Sequence, residues 1–309
     1  MSPGGARRCT GMLTETDFAA LGARHRRELH VHCYRMLASF EEAEDAVQES
    51  LLRAWRARDT FRGGPHARAW LYRIATNACL DALKRRRRRP ETVESPAEVP
   101  WLQPYPDSLL DETVTRETIE LAFLTVIQLL PPRQRAVVIA RDVMGWSAAE
   151  TAELLDTSVP AVNSALQRAH ATLRRDWDRR EELVAQDAER DLLRAWVEAH
   201  EREDVAGMVA LMREDVRVTM PPYPGLYEGV DALAPLFDRA FGSRRLGAWR
   251  ILPLRCNRQP AAAGYLRRPG DSAYRAFKLD VMRVEGDRIA EFTTFDASLF
   301  ATFGLPAVL

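Results

Sequence analysis

Apolar positions set the first division of this chain. In EEAEDAVQESLLRAWRA, Val47, Leu51 and Trp55 recur every four residues and share one helical face, while Asp45, Gln48, Glu49, Arg53 and Arg56 take the other. Gly63, Gly64 and Pro65 in TFRGGPHA break that helix. A further helix is predicted from about Ala67, with Trp70, Leu71, Ile74, Ala75 and Ala78 as its buried stripe, running into KRRRRR at 84–89. Residues 112–130 again carry a helical pattern. Beyond them SAAETAELLD reads as a short helix, TSVP as a tight turn and AVNSALQRAHATLRR as a second helix. Ala152, Leu155, Val162 and Leu166 fall where a helix-turn-helix needs small or apolar core residues.

The pattern changes near residue 186. DLLRAWVEAHEREDVAGMVALM is predicted helical, DVRVTM a strand and YEGVDALAPLFDRAF another helix. Four strand-like runs follow: GAWRILPLRCN, AAAGYLRR, AYRAFKLDVMRVEG and RIAEFTTF. Their turns carry Pro260, Pro269-Gly270-Asp271 and Gly286-Asp287. Helices followed by an antiparallel meander make an α+β pattern. The fold class is therefore multidomain, two all-α domains followed by an α+β domain, and 309 residues suit that number.

Charge separates the segments further. The formal net charge is zero, yet bases outnumber acids over residues 13–90 and every charge from 91 to 112 is acidic. Such segregation points to a polyanion-binding face and something that competes for it. The stretch WLQPYPD, at 101–107, interrupts the acidic segment with Trp101, Leu102 and Tyr105, which a solvated tether does not need. Cys9, Cys33, Cys79 and Cys256 show no paired spacing, and His30, His32 and Cys33 have no second ligand cluster to complete a metal site. No cofactor is implied. No apolar run reaches the ~20 residues of a membrane span. Residues 1–13 read as a disordered leader in which Met12 offers an alternative start, and the expectation is a soluble cytoplasmic protein.

A basic helix combined with a helix-turn-helix argues for DNA, the one supplying phosphate contacts and the other base readout. DAVQESLLRAW, then FRGGPHARAWLYRIATNACLDALKRRRRRP, then LPPRQRAVVIARDVMGWSAAETAELLDTSVPAVNSALQRA resemble, in order and spacing, the extracytoplasmic-function (ECF) group of bacterial sigma-70 factors. The resemblance implies a σ2 domain over 14–90, an acidic linker over 91–112 and a helix-turn-helix σ4 domain over 113–180. It also implies core RNA polymerase, through its β′ clamp helices and β flap, and promoter DNA as partners. Asp45, Gln48, Glu49, Arg53 and Arg56 would then face the polymerase. Phe61, Arg62, His66, Arg68, Trp70, Arg73, Asn77 and Lys84 would meet the −10 element, with Phe61 and Trp70 offering stacking surface for unpaired bases. Trp70 serves equally well as core. Ser158, Asn163, Ser164, Gln167 and Arg168 are the −35 base-reading set, with Arg174 and Arg175 on the backbone; Asn and Gln suit adenine and Arg suits guanine. Asn163 and Ala165 stand where many relatives carry Lys and Arg, which weakens the phosphate contribution.

Residues 186–309, above all VRVTMPPYPGLYEGVDAL, resemble the SnoaL-like branch of the NTF2-like fold, a cone of curved antiparallel sheet closed by helices. The resemblance implies a pocket for an unidentified small ligand, for which His200, Tyr223, Tyr227, Asn257 and Asp296 are candidates, with Asp215 at a strand start. WLQPYPD resembles the tryptophan–proline linker motif of sigma factors that carry such an extension, so Trp101, Leu102 and Tyr105 are expected to lie against the cone as a latch. The reading is a non-catalytic sigma factor whose C-terminal domain regulates it in cis. Two alternatives are a bifunctional sigma factor whose cone binds or converts a small molecule, and a DNA-binding regulator acting without polymerase.

Overall fold

The computed structural model describes residues 14–61, 67–86, 99–176, 186–243 and 245–309. The chain forms two compact units, Met1–Thr92 with Leu130–Leu173 and Val93–Leu129 with Arg174–Leu309. Residues 1–13, the Gly63–Pro65 break, Arg62, His66 and the acidic stretch before Val99 lie outside the described residues, as does the Arg175 side chain.

In the helical unit α1 (Glu15–Leu37) starts at a capping box: Thr14 Oγ1 accepts the Asp17 N–H at 3.1 Å and the Asp17 carboxylate accepts the Thr14 N–H. α2 (Phe40–Arg56) is capped by Ser39, whose Oγ accepts the Glu42 N–H at 3.2 Å. α3 (Ala67–Arg86) completes a core built on Leu29, Tyr34, Val47, Leu71 and Ala75. α4 (Leu121–Gln128) belongs to the other unit. The helical unit resumes with α5 (Pro132–Val138) and a π-helical turn, Ile139–Val143. α6 (Ala148–Leu154), started by a Ser147/Glu150 capping box, and α7 (Val159–Asp176) follow as the helix-turn-helix.

α5 and α6 pack on α1 and α3. The joint is polar at its centre: buried Arg135 donates from Nη1 to the Met36 carbonyl at 2.5 Å and from Nη2 to the Leu130 carbonyl at 3.3 Å. Arg86 donates to the Leu37 carbonyl. Two guanidinium groups thus satisfy the carbonyl end of α1 and complement its dipole. Tyr72 and Trp146 meet beside them with ring centroids 5.5 Å apart.

In the sheet unit α8 (Gln186–Glu201) and α9 (Val205–Ala210) are separate helices, not the single one the sequence suggests. Asp204 starts the second by accepting the Gly207 N–H at 2.8 Å. The six strands are β1 (Met212–Met220), β2 (Tyr223–Glu228), β3 (Ala248–Cys256), β4 (Gln259–Arg267), β5 (Arg275–Glu285) and β6 (Arg288–Asp296), with α10 (Ala234–Phe241) between β2 and β3. Their order is β2-β1-β6-β5-β4-β3. β1 runs parallel to β6, so the sheet is mixed where an antiparallel cone was expected. The start of the expected helix YEGVDALAPLFDRAF is strand β2, because Leu226 and Tyr227 pair with β1; Pro235 opens α10 near its first turn. The first turn of the meander sits at Asn257 and Arg258, both left-handed, and Pro260 lies inside β4. Among the described residues no helix is long and apolar enough to cross a membrane, and no group of His, Cys, Asp and Glu could hold a metal ion.

His30 and His32 are buried in α1. The Thr76 hydroxyl donates to the Tyr72 carbonyl at 2.7 Å, so it accepts from His32 Nε2 at 2.9 Å and fixes the Nε2–H tautomer. Burial pushes the His32 ring down to about 3 and the His30 ring to about 4. Both stay neutral while the unfolded chain takes up protons below the model value of 6.5. Their contribution to stability is therefore full above that value and lost as pH falls toward the folded values. Urea unfolding of the full chain is expected to weaken between pH 6.5 and 5 by about 1.4 kcal/mol per pH unit per histidine, and His32→Gln is expected to flatten that slope.

Candidate functional site

Three surfaces carry the chemistry. On α2, Asp45, Gln48 and Arg56 are exposed along one stripe at helical spacing, and Leu52 stands among them 53% exposed. Arg53 and Glu49 are committed elsewhere: Arg53 donates to Glu49 Oε1 and to Asp81 Oδ2, each at 2.7 Å, tying α2 to α3. On α3, Arg73, Asn77 and Lys84 form an exposed stripe that begins at half-buried Trp70. The Trp70 and Phe61 rings lie 5.0 Å apart. Arg68 bonds Glu28 Oε2 at 2.7 Å and covers the Tyr72 ring at 4.9 Å, so it is a brace within the unit, not a free cation for DNA. On α7, Asn163, Ser164, Gln167, Arg168 and Arg174 are exposed on one broad face, while Val162 and Ala169 are buried beneath it. Ser158 is spent as the helix cap, its Oγ accepting the Ala161 N–H at 3.3 Å.

The second surface is a clasp inside the sheet unit. Asn257 and Arg258 occupy left-handed backbone (φ 54° and 59°), the geometry of a two-residue hairpin turn between β3 and β4. Both side chains and that of Gln259 grip residues 105–121. Asn257 Oδ1 accepts the Tyr105 N–H at 2.6 Å, its Nδ2 donates to the Ile119 carbonyl at 2.6 Å, and its own N–H donates to the Tyr105 carbonyl at 2.9 Å. The Arg258 N–H donates to Asp107 Oδ1 at 2.8 Å, and its guanidinium donates to the Val114 and Asp111 carbonyls. Gln259 Oε1 accepts the Leu121 N–H at 3.0 Å, at the start of α4. Hence 112–120 is irregular instead of helical, apart from a 3-10 turn at Arg116–Thr118: its main-chain groups serve the hairpin. Burial pushes the Asp107 carboxyl up, against the Arg258 N–H that holds it down.

Apolar packing accompanies the clasp. Val99, Leu102, Tyr105, Leu110 and Ile119 are buried, at about 1.5–3 kcal/mol for each large side chain. Trp101 is half-buried and lines a recess of about 150 Å³ with Leu102, Pro221 and Phe295. Glu189 of α8, fully buried, receives Arg116 from the linker side and Arg255 Nη1 of β3 at 3.1 Å.

The third feature is a cavity of about 610 Å³ between the sheet and its helices. Its walls are mainly aromatic and aliphatic, with Trp196, Phe241, Trp249 and Phe292 among them. His200 lines it and packs edge-on to Phe241 and Trp249, at 5.1 Å from each. Burial, aided by the Lys278 charge, holds this ring well below the usual histidine range. Lys278 and Asp280 are paired at 2.8 Å, and Asp280 also accepts from Thr294 Oγ1 at 2.8 Å. Tyr227 lines the cavity, Tyr223 stands at it 70% exposed, and Asp296 caps the next turn through the Ser298 N–H at 2.8 Å. Asn257 does not line it and belongs to the clasp. Asp215 is paired on the surface with Arg213, which holds its carboxyl below the ordinary range.

Comparison with known proteins decides what these surfaces serve. Residues 21–89 match sigma-70 region 2, residues 120–173 sigma-70 region 4, and residues 193–292 a SnoaL-like domain. The chain is 42% identical to the ECF RNA polymerase sigma factor SigG of Mycobacterium tuberculosis H37Rv, over 94% of this chain and 84% of that protein. It belongs to the ECF sigma factors. The ECF sigma factor SigM of the same organism is 37% identical over 51% of this chain and 76% of its own length. The crystal structure of the M. tuberculosis sigma factor SigJ shares the fold, with a TM-score of 0.65 at 21% identity over 95% of this chain and all of that one.

The sigma factor therefore directs promoter-dependent initiation as a non-catalytic subunit, with core RNA polymerase and promoter DNA as partners. Sequence reasoning missed Leu52, the clasp residues Arg116, Glu189, Arg258 and Gln259, and the cavity residues Trp196, Trp249, Lys278 and Asp280. Trp196 and His200, four residues apart on one helix face, were the signal that could have located the cavity. Asn257→Ala leaves the buried Tyr105 N–H and Ile119 carbonyl without their side-chain partner, a cost of about 1–3 kcal/mol for each group. Hydrogen exchange at the Tyr105 amide is expected to accelerate at least about tenfold in that variant, with the helical unit's amides unchanged.

Proposed function

We propose that this sigma factor is held in a resting state by its own C-terminal domain, and that the hairpin clasp on the linker is the holding contact. The grip of Asn257, Arg258 and Gln259 on residues 105–121 is the observation that carries this reading. The linker joins the two promoter-reading segments, so tying it to a third domain limits how far they separate. They must separate: the −10 and −35 elements are roughly 25 base steps apart, about 85 Å at 3.4 Å per step. A compact unit of this size has a radius of gyration of only about 14 Å. With α5 and α6 packed on α1 and α3, and Arg135 buried at the joint, the readers cannot reach both elements at once.

In the released state, Asp45, Gln48, Arg56 and Leu52 would dock on the β′ clamp helices, Leu52 as the apolar anchor within a polar rim. The 113–180 segment would meet the β flap. Trp70, Arg73, Asn77 and Lys84 would follow the melted −10 strand, and Asn163, Ser164, Gln167 and Arg168 would read the −35 element, with Arg174 on its backbone. The acidic linker, freed from the clasp, would enter the basic interior of the polymerase by charge complementarity.

Run-off transcription with purified core polymerase tests both halves. Leu52→Asp is expected to lower initiation at least about tenfold with thermal stability unchanged, because the residue is exposed. Asn257→Ala is expected to raise initiation above that of the unaltered chain at equal concentration. A Leu52→Asp variant that initiates normally excludes the α2 docking face, and an Asn257→Ala variant no more active than the parent excludes restraint by the clasp.

A further inference from the structure

Three buried polar atoms in the sheet unit have no hydrogen-bond partner: Trp196 Nε1, Trp249 Nε1 and His200 Nδ1. All three side chains line the same 610 Å³ cavity, and their residues are 4%, 6% and 2% exposed. Buried polar groups in folded proteins are nearly always satisfied, so three orphans converging on one space mark a site whose partner arrives from outside. Each indole N–H is a donor only, so what arrives must present acceptors. The walls between them are ring faces and aliphatic side chains. The interior charges cancel within the protein, since Lys278 is paired with Asp280 and Asp280 is bonded to Thr294. Arg239, the remaining cation on the lining, is exposed at the rim.

The cavity also shares a wall with the linker. Pro221, Phe295 and Asp296 line both the cavity and the recess in which Trp101 and Leu102 sit. A molecule that fills the cavity presses on the residues against which the linker motif packs.

We infer that the cavity binds an uncharged, fused-ring molecule carrying carbonyl oxygens, held by the Trp196 and Trp249 indole N–H groups, and that its occupancy is transmitted through Pro221 and Phe295 to the Trp101–Leu102 seat. The ring system fills the aromatic walls; the carbonyls satisfy donors that water-sized partners leave scattered in an apolar chamber. The transmission half rests on the reading of the clasp as a holding contact, whereas the binding half stands without it.

The test uses the full-length chain and two matched pairs of uncharged probes: fluorenone with fluorene, and benzanthrone with its parent hydrocarbon benzanthrene. Titration calorimetry is expected to show saturable one-to-one binding of a ketone about tenfold tighter than its hydrocarbon partner, the difference one well-made hydrogen bond provides. The Trp196→Phe/Trp249→Phe variant keeps both apolar walls and removes both donors, and is expected to bind ketone and hydrocarbon alike. Equal affinity for both members of each pair in the unaltered chain overturns the donor assignment without reference to any variant. No binding of any probe overturns the site. Hydrogen exchange at Leu102 and Tyr105 is read in the same samples: a change of about threefold or more on ketone binding supports transmission, and unchanged rates in a saturated sample overturn it. If no probe binds while Asn257→Ala still raises transcription, the ligand inference fails and the clasp reading stands.

Discussion

A two-residue turn governs the organisation of this protein. Asn257 and Arg258 both sit in left-handed backbone, a conformation costly for most side chains and tolerated best by asparagine among non-glycine residues. A glycine pair would close the same hairpin with less strain. What the larger residues add is reach: their side chains bond the main chain of a segment some 150 positions earlier in sequence. Tyr105, Ile119 and Leu121 take from the hairpin the hydrogen bonds that a regular helix would otherwise supply. The linker consequently has a defined conformation only while the hairpin holds it.

The same device recurs wherever separate segments meet inside a unit. Arg135 places its guanidinium on the last turn of α1, and fully buried Glu189 joins Arg116 to Arg255. Such contacts add little net stability, because desolvation offsets most of the electrostatic gain. They are strict about geometry, however, and an arrangement that misplaces one partner leaves a buried charge exposed to the full penalty. Contacts of this kind suit joints that are closed in one state and hydrated in another. Once water replaces the partner, the charge is no longer stranded, so opening costs less than pulling apart an apolar core of equal area.

Local signals made much of the architecture legible in the sequence. The Thr14/Asp17 and Ser147/Glu150 boxes lie within four residues, and the α2 and α7 faces follow helical spacing, so elements and family emerged together. WLQPYPD stood out because Leu102 and Tyr105 are apolar in an otherwise acidic stretch, and both are buried in the structure. What seats them was not legible. Asn257 reads as an ordinary turn residue, and nothing near it in sequence indicates that its amide serves Tyr105 and Ile119. It was instead assigned to the cavity. Arg53 and Arg68 misled for the opposite reason: each is basic at a position where DNA or polymerase would be met, yet each is committed to carboxylates on a neighbouring helix. The parallel pairing of β1 with β6 was hidden as well, since strand partners distant in sequence leave no periodic trace.

Pro106 and Cys256 lie opposite each other across an isolated antiparallel bridge between the linker and the end of β3, a spacing that a disulfide can span. The most direct measurement is run-off transcription by Pro106→Cys, oxidised to lock the linker onto the hairpin and then reduced, with the unaltered chain treated in parallel. If the clasp must open for initiation, the oxidised variant makes little transcript, reduction restores it, and the unaltered chain responds to neither treatment. Equal transcription from the locked and the reduced variant would contradict the clasp as a restraint on this sigma factor.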